Sequence, residues 1–372
     1  MDKRRGAALG LALTAMLAVS ACESDSEGGG GGGGGGNSED GLQIAFLLPE
    51  SQTTRYENFD RPLFEAAIED QCPSGETCEV LYSNANQDAA QQQSQAEAAI
   101  NNGADVLVLD PVDGDAAANI AATAAEQDIP VVAYDRSISD AEVAYYVSFD
   151  NVTVGETQAQ ALVDRLTEQG VTSGNIVMIN GSPTDPNAQQ FNEGAHNVFD
   201  ESGFTLQPEN EDFFTPEWEP ENAQSFMDGQ IATLGPTGFV GVYAANDGTA
   251  GGAISAMQTA GINPLPPVTG QDAELAGIQR VVSGEQYMTV YKPIAPEAEK
   301  AAEVAIALAQ GEDVEGDTTV DNGAGDVQTT LFDPVVVTQE TLADTVVADG
   351  FWTVEDICTP EYAAACAAIG LQ

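Results

Sequence analysis

Acids, amides and a guanidinium recur where short apolar runs end: Asp110, Asp135 with Arg136, Asn180, Asn246 with Asp247, and Gln271 with Asp272. Together they offer hydrogen-bond donors and acceptors at once, which is what the hydroxyls of a neutral sugar require. Each alone is a weak signal, because Asp and Asn also cap helices. Capping does not account for Arg136 directly after Asp135. A dinucleotide fits poorly, since the turn Leu47-Leu48-Pro49-Glu50-Ser51 after the first apolar run contains no glycine. Gly248-Thr249-Ala250-Gly251-Gly252 lacks the lysine of a phosphate-binding loop and reads as close packing at a helix start. Asp135 and Asp272 are also a carboxylate pair of the kind a glycoside hydrolase uses, but acids beside Arg136 are held ionised, which suits accepting hydrogen bonds and not donating a proton. No enzymatic activity and no cofactor is expected.

These side chains need a frame that brings strand ends together. Apolar runs at Ile44–Leu48, Val106–Leu109, Val131–Tyr134, Ile176–Ile179, Phe239–Ala244 and Val268–Gly270 alternate with stretches of helical spacing. The latter are Ala89–Asn102, Asp115–Gln127, Val154–Glu168, Ala250–Ala260 and Glu297–Ala309. Such alternation predicts βαβ units: an α/β protein with mainly parallel sheets flanked by helices. In open α/β sheets ligands bind outside the carboxyl ends of the strands, where the polar residues cluster here.

Composition narrows the class further. The chain has 372 residues with 60 Asp+Glu against 10 Lys+Arg and one His, a formal charge of −50. Affinity for phosphate backbones rests on Lys and Arg, so a generic nucleic-acid binder is excluded. At 42% hydrophobic residues the chain can bury real cores, and at ~100–200 residues per domain its length predicts two domains.

Lys3, Arg4 and Arg5 precede an uncharged stretch of 15 residues, Ala7 to Ala21, followed by Cys22. This is the layout of a secretory signal, shorter than the ~20 residues of a membrane span. Val19-Ser20-Ala21-Cys22 resembles a bacterial lipobox, which implies cleavage before Cys22 and its lipidation; an ordinary cleavable signal is the alternative. Residues 1–21 are thus expected to be a signal peptide and 22–40, with nine glycines at Gly28–Gly36, a flexible lipid-anchored tether. The other four cysteines form two close pairs, Cys72 with Cys78 and Cys358 with Cys366, which are expected to oxidise outside the cytosol. Zinc is disfavoured by their gaps and by a lone His196, which reads as a solvated helix residue.

Longer motifs carry a resemblance. Val131-Val132-Ala133-Tyr134-Asp135-Arg136, Ser148-Phe149-Asp150-Asn151, Gly181-Ser182-Pro183 with Asp185 and Asn187, Asn246-Asp247, Gly270-Gln271-Asp272-Ala273 and Val290-Tyr291-Lys292-Pro293 resemble the D-xylose-binding proteins of ABC transporters. Order and spacing hold from about Leu42 to Trp352. The resemblance implies the type I periplasmic-binding-protein fold, with two hinged lobes: one from 41–149 and 292–325, the other from 150–291 and 326–372, crossing again near Gly325. Asp150-Asn151 would be hinge structure. It implies sugar contacts at Arg55, Tyr56, Asp135, Arg136, Asp185, Asn187, Trp218, Asn246, Asp272 and Lys292. Tyr56 stands where the group usually has tryptophan; it keeps a stacking face and adds a hydroxyl. The competing readings are Arg55 as a surface ion-pair partner and Trp218 as a lobe cap. The implied function is a monomeric, lipid-anchored protein on the extracellular face of the membrane, or in the periplasm, that passes D-xylose to a permease with its ATPase subunit. Glucose, galactose, arabinose or ribose as ligand, or sensing through a membrane receptor, are the alternatives.

Overall fold

A computed structural model describes residues 41–371. The signal segment, Cys22 and the glycine tether lie outside the described residues. The chain opens with β1 (Leu42–Leu48), α1 (Arg61–Gln71), β2 (Cys78–Asn84), α2 (Ala89–Asn101), β3 (Val106–Leu109), α3 (Ala118–Ala125), β4 (Val131–Tyr134) and β5 (Tyr145–Phe149). It continues through α4 (Asn151–Glu168), β6 (Gly174–Ile179), α5 (Pro186–Phe199), β7 (Phe204–Gln207), α6 (Pro220–Leu234), β8 (Gly241–Ala244), α7 (Asp247–Thr259) and α8 (Leu275–Ser283). Then follow β9 (Thr289–Tyr291), α9 (Ile294–Ala309), β10 (Thr318–Asp321), β11 (Asp326–Phe332), β12 (Val335–Val337), α10 (Val354–Ile357) and α11 (Ala363–Ile369).

Seven strands form the first sheet in the order β10-β11-β5-β4-β3-β1-β2, parallel except for the β10–β11 pair. Its central strands are buried on both faces, which is why they read as unbroken apolar runs and not as alternating ones. Ile44, Phe46, Val108 and Val132 meet α1 and α9 on one face, while Ala45, Leu47, Leu107 and Ala133 meet α2 and α3 on the other. Phe46 stacks on Phe64 at 4.1 Å and meets Tyr134 edge-on at 5.4 Å. Truncating this fully buried ring to Ala costs ~3–5 kcal/mol.

The second lobe is built on β7-β6-β8, which single parallel bridges through Val268 and Gln271 extend to β9, itself antiparallel to β12. Helices α4 and α5 cover one face, and α6 and α7 the other. The chain passes between lobes at Asp150, at Lys292-Pro293 and between β11 and β12. The Asp150 side chain caps α4 by accepting from the Thr153 N–H at 3.0 Å, which ends β5 and starts the helix at the crossing.

One boundary differs from the expectation. Residues 326–332 belong to lobe one, because β11 pairs parallel with β5, Thr329 opposite Tyr146. The final crossing therefore falls after Phe332 and not near Gly325. Covering the open edge of β5 requires one more strand in lobe one, and its polar stretch Gln328-Thr329-Thr330 hid it in the sequence.

Candidate functional site

Asp135 follows β4 with φ 56°, a left-handed conformation that costs a residue with a Cβ roughly 1–3 kcal/mol and persists only when the surroundings enforce it. They do: its N–H donates to the Val147 carbonyl at 2.8 Å. Its own carbonyl accepts from Tyr146 Oη at 3.2 Å, from Asn187 Nδ2 at 3.1 Å and from Ser148 Oγ. The carboxylate is aimed by Arg55 Nη1, which donates to Oδ1 at 3.0 Å, and by Tyr56 Oη, 3.3 Å from Oδ2. Lys292 Nζ lies 3.8 Å from Oδ1. Burial opposes ionisation here, but Arg55, Lys292 and Arg136 outweigh it and hold Asp135 down at about 2.

Arg55 itself stands behind the cavity and does not line it. Its Nε and Nη2 bind Asp60 in a fork at 3.0 and 2.7 Å, and Nη2 also reaches Glu297 Oε2 at 2.9 Å. With three carboxylates around it, the guanidinium is held in place and orients Asp135. The π-helical turn Tyr56–Asp60 starts here, and that rare geometry turns Tyr56 and Asp60 inward together.

Arg136 joins the lobes. Nε lies 2.9 Å from Asp185 Oδ2 and 3.6 Å from Asp110 Oδ1, Nη1 donates to the Pro111 carbonyl at 3.2 Å, and Nη2 to Tyr56 Oη at 3.0 Å. Burial pushes the carboxyls of Asp110 and Asp185 above their ordinary range against the pull of Arg136.

Lobe two contributes through helix starts and one strained strand end. Asp185 caps α5 by accepting from the Asn187 N–H at 2.8 Å, and its Oδ2 accepts from Trp218 Nε1 at 3.0 Å. The indole lies over Gly181, where an added Cβ would sit 1.9 Å from the ring. Asn246 caps α7 with Oδ1 on the Thr249 N–H at 2.8 Å. Asp272 repeats the geometry of Asp135 in the other lobe: φ 86°, with its N–H donating to the neighbouring Val290 carbonyl at 2.8 Å. Lys292 Nζ is 3.2 Å from its Oδ1, and the ammonium lies 5.6 and 5.8 Å from the rings of Phe149 and Phe191.

These residues converge on a narrow cavity of about 20 Å³ between the lobes, far below the ~300–1,000 Å³ of sites for drug-sized ligands. Tyr56, Asp135, Arg136 and Lys292 line it from lobe one and the crossing; Asp185, Asn187, Trp218, Asn246 and Asp272 line it from lobe two. All ten expected residues are brought together: nine line the cavity, and Arg55 stands directly behind it on Asp135. Thr53, Phe191 and Gln271 also line it and were missed as contacts. Phe191 sits mid-helix in α5, where a phenylalanine reads as core, and Thr53 carries no motif; Gln271 was legible as the neighbour of Asp272. Among the described residues, two buried acceptors in the wall, Asn187 Oδ1 and Gln271 Oε1, take no hydrogen bond from the protein, and Asp272 Oδ1 is held by the Lys292 ammonium alone. Buried polar atoms are normally satisfied, so these atoms could accept hydroxyl donors.

Outside the cavity, Cys72–Cys78 and Cys358–Cys366 form disulfides. His196 lies on α5 between Asp200 Oδ1 at 3.2 Å and Asp212 Oδ2 at 3.0 Å, partly buried and not simply solvated. Among the described residues no cluster of His, Cys, Asp and Glu could hold a metal ion, and no helix is long and apolar enough to cross a membrane.

Comparison with known proteins gives the same picture. The family model described as periplasmic binding protein domain matches residues 44–313. A D-xylose-binding periplasmic protein of Escherichia coli (strain K12) is 42% identical over 275 residues, 73% of this chain and 81% of that protein. One from Haemophilus influenzae is 38% identical over 319 residues, 85% of this chain and 92% of that protein. Among solved structures, an ABC transporter solute binding protein from Clostridium phytofermentans with bound β-D-glucose superimposes with a TM-score of 0.78 at 29% identity, covering 85% of this chain and 99% of that one. A carbohydrate transporter solute binding protein from Chloroflexus aurantiacus, in complex with D-glucose, gives 0.75 at 28% identity over 85% of this chain and 98% of its own. With two lobes joined by three crossings, a polar cavity at their strand ends and a family match over most of its length, the chain belongs to the periplasmic-binding-protein family of type I fold.

Proposed function

We propose that the protein binds one monosaccharide, D-xylose foremost, between its lobes and delivers it unaltered to a membrane permease driven by a separate ATPase subunit. The observation that carries this reading is the narrow cavity between the lobes whose wall combines the unpartnered acceptors Asn187 Oδ1 and Gln271 Oε1 and the Asp272 carboxylate with donors on Arg136, Asn246 and Lys292. The rings of Tyr56, Phe191 and Trp218 supply apolar faces for the C–H side of a sugar. A hydroxyl placed wrongly by an epimer leaves such groups unsatisfied at ~1–3 kcal/mol each, so selectivity among sugars follows from the same wall. Arg55, in this reading, acts through Asp135 and not on the sugar.

Arg136 with Asp185, and Asn187 with the Asp135 carbonyl, make contacts between the lobes, so a sugar that adds to them would shift the hinge toward closure. Acylation of Cys22 would hold a monomer on the outer face of the membrane, with the glycine tether as spacer; mass spectrometry of the mature N-terminus tests this. Glucose is the principal competitor, because two structural relatives hold it. Isothermal titration with D-xylose, D-glucose, L-arabinose, D-galactose and D-ribose is the test. Saturable heat with xylose, exceeding that of its competitors in affinity, is expected; no heat with any of the five would overturn the proposal.

A further inference from the structure

Trp352 lies beyond the residues that the family model matches, in the C-terminal segment after β12. This segment packs on lobe two with Ala273, Ile278, Tyr291 and Leu342. The indole Nε1–H donates to the Ala273 carbonyl at 2.8 Å. Ala273 has φ 49° and Asp272 before it φ 86°, two consecutive left-handed residues with a Cβ and without a glycine to ease the turn. Such backbone persists only where its surroundings hold it. Three contacts do so: Asp272 N–H to the Val290 carbonyl at 2.8 Å, Ala273 N–H to Thr289 Oγ1 at 3.2 Å, and the indole on the Ala273 carbonyl. The first two come from β9 and its approach; the third comes from a segment remote in sequence.

The same pair of aromatics faces lobe one. Phe351 stacks on Phe59 with ring centres 3.9 Å apart, and Trp352 meets Phe59 edge-on at 5.1 Å. Phe59 belongs to the π-helical turn that carries Tyr56 into the cavity.

We infer that Trp352 is a positioning residue for Asp272: its indole N–H holds the strained 272–273 backbone so that the carboxylate faces the sugar, while its ring joins that strand end to the turn bearing Tyr56. The inference rests on the sugar-site reading above. Trp352→Phe in the full-length chain keeps a ring against Phe59 and removes the donor. It is expected to weaken D-xylose binding about three- to tenfold by calorimetry, the range of one hydrogen bond. In an Asp272→Asn background the same change is expected to cost almost nothing more, because the carboxylate it positions is gone. Equal losses in both backgrounds would reduce Trp352 to packing and overturn the inference, as would an unchanged affinity in the single variant. Hydrogen exchange of the Trp352 indole N–H, followed by NMR without sugar, decides independently: slow exchange is expected, and exchange as fast as an exposed indole overturns the inference. If xylose does not bind at all, the sugar reading fails, and the exchange measurement still decides whether Trp352 holds Ala273.

Discussion

The two halves of the cavity wall are built on opposite principles. In lobe one the acid at the strand end, Asp135, has both carboxylate oxygens engaged by Arg55 and Tyr56, and Arg55 is in turn clamped by Asp60 and Glu297. In lobe two Asp272 sits on the same strained backbone at the same place in its sheet, yet among the described residues its Oδ1 meets only the Lys292 ammonium at 3.2 Å, and Gln271 Oε1 and Asn187 Oδ1 accept no hydrogen bond. Lobe one gathers its cations around one carboxylate, although Asp110 and Glu297 keep oxygens that accept no hydrogen bond; lobe two presents its acceptors singly from strand and helix ends. Seven of the chain's Lys and Arg residues lie beyond residue 21, and three of them, Arg55, Arg136 and Lys292, converge on this site. In so acidic a protein the cations are spent on fixing the platform, and the opposing lobe supplies groups whose partners arrive with a ligand.

Breaking the platform should cost most. Asp135→Ala leaves Arg55, Arg136 and Lys292 short of a buried counter-charge, so unfolding by urea should show a loss of ~3–5 kcal/mol together with abolished xylose binding. A variant of native stability would erase the contrast between the halves.

The next effect is one of pH. Burial is the main force on Asp247, the first residue of α7, which accepts from Gln286 Nε2 and Thr289 Oγ1; it pushes the carboxyl up from 3.8 to about 7. A folded value above the unfolded one means that the stabilisation is complete below about pH 4 and is lost as pH rises through 7. Asp110 and Glu297, also raised by burial, act with the same sign, while Asp135, lowered to about 2, loses its contribution only in stronger acid. Stability by urea denaturation should therefore fall by ~2 kcal/mol or more from pH 5 to pH 8. A rise over that range would contradict the burial account.

On the lobe-two side the expected losses are in affinity and not in stability. Asp272→Ala should weaken sugar binding more than tenfold while costing less stability than Asp135→Ala, because Lys292, the cation paired with it, keeps Asp135 at 3.8 Å as a second counter-charge. Unchanged affinity would remove Asp272 from the site. Gly181→Ala should have the smallest effect, about fivefold in affinity, by displacing the Trp218 indole that lies 1.9 Å from where its Cβ would be. Fluorescence titration checks it, and a native binding curve would mean that the indole face is not used.

Much of this was legible in the residues. Strands buried on both faces, such as Val106–Leu109 and Val131–Tyr134, announce themselves as apolar runs, and the polar residues that end them mark the cavity. The edge strand β2 and the inserted β11 were not legible, since half-buried strands carrying Glu79, Ser83, Gln328 and Thr329 lack that signature. The charge network around Arg55 was not legible either. Its partners Asp60, Asp135 and Glu297 are 5, 80 and 242 residues away, and no local pattern reveals that three carboxylates converge on one guanidinium.

A crystal structure of the protein grown with D-xylose tests the central claim most directly. One sugar is expected between the lobes, its hydroxyls within hydrogen-bond distance of Asn187 Oδ1, Gln271 Oε1 and the Asp272 carboxylate, with the Asp135–Arg55 pair intact behind it. A sugar bound elsewhere, or one in the cavity that leaves those three acceptors untouched, would contradict it.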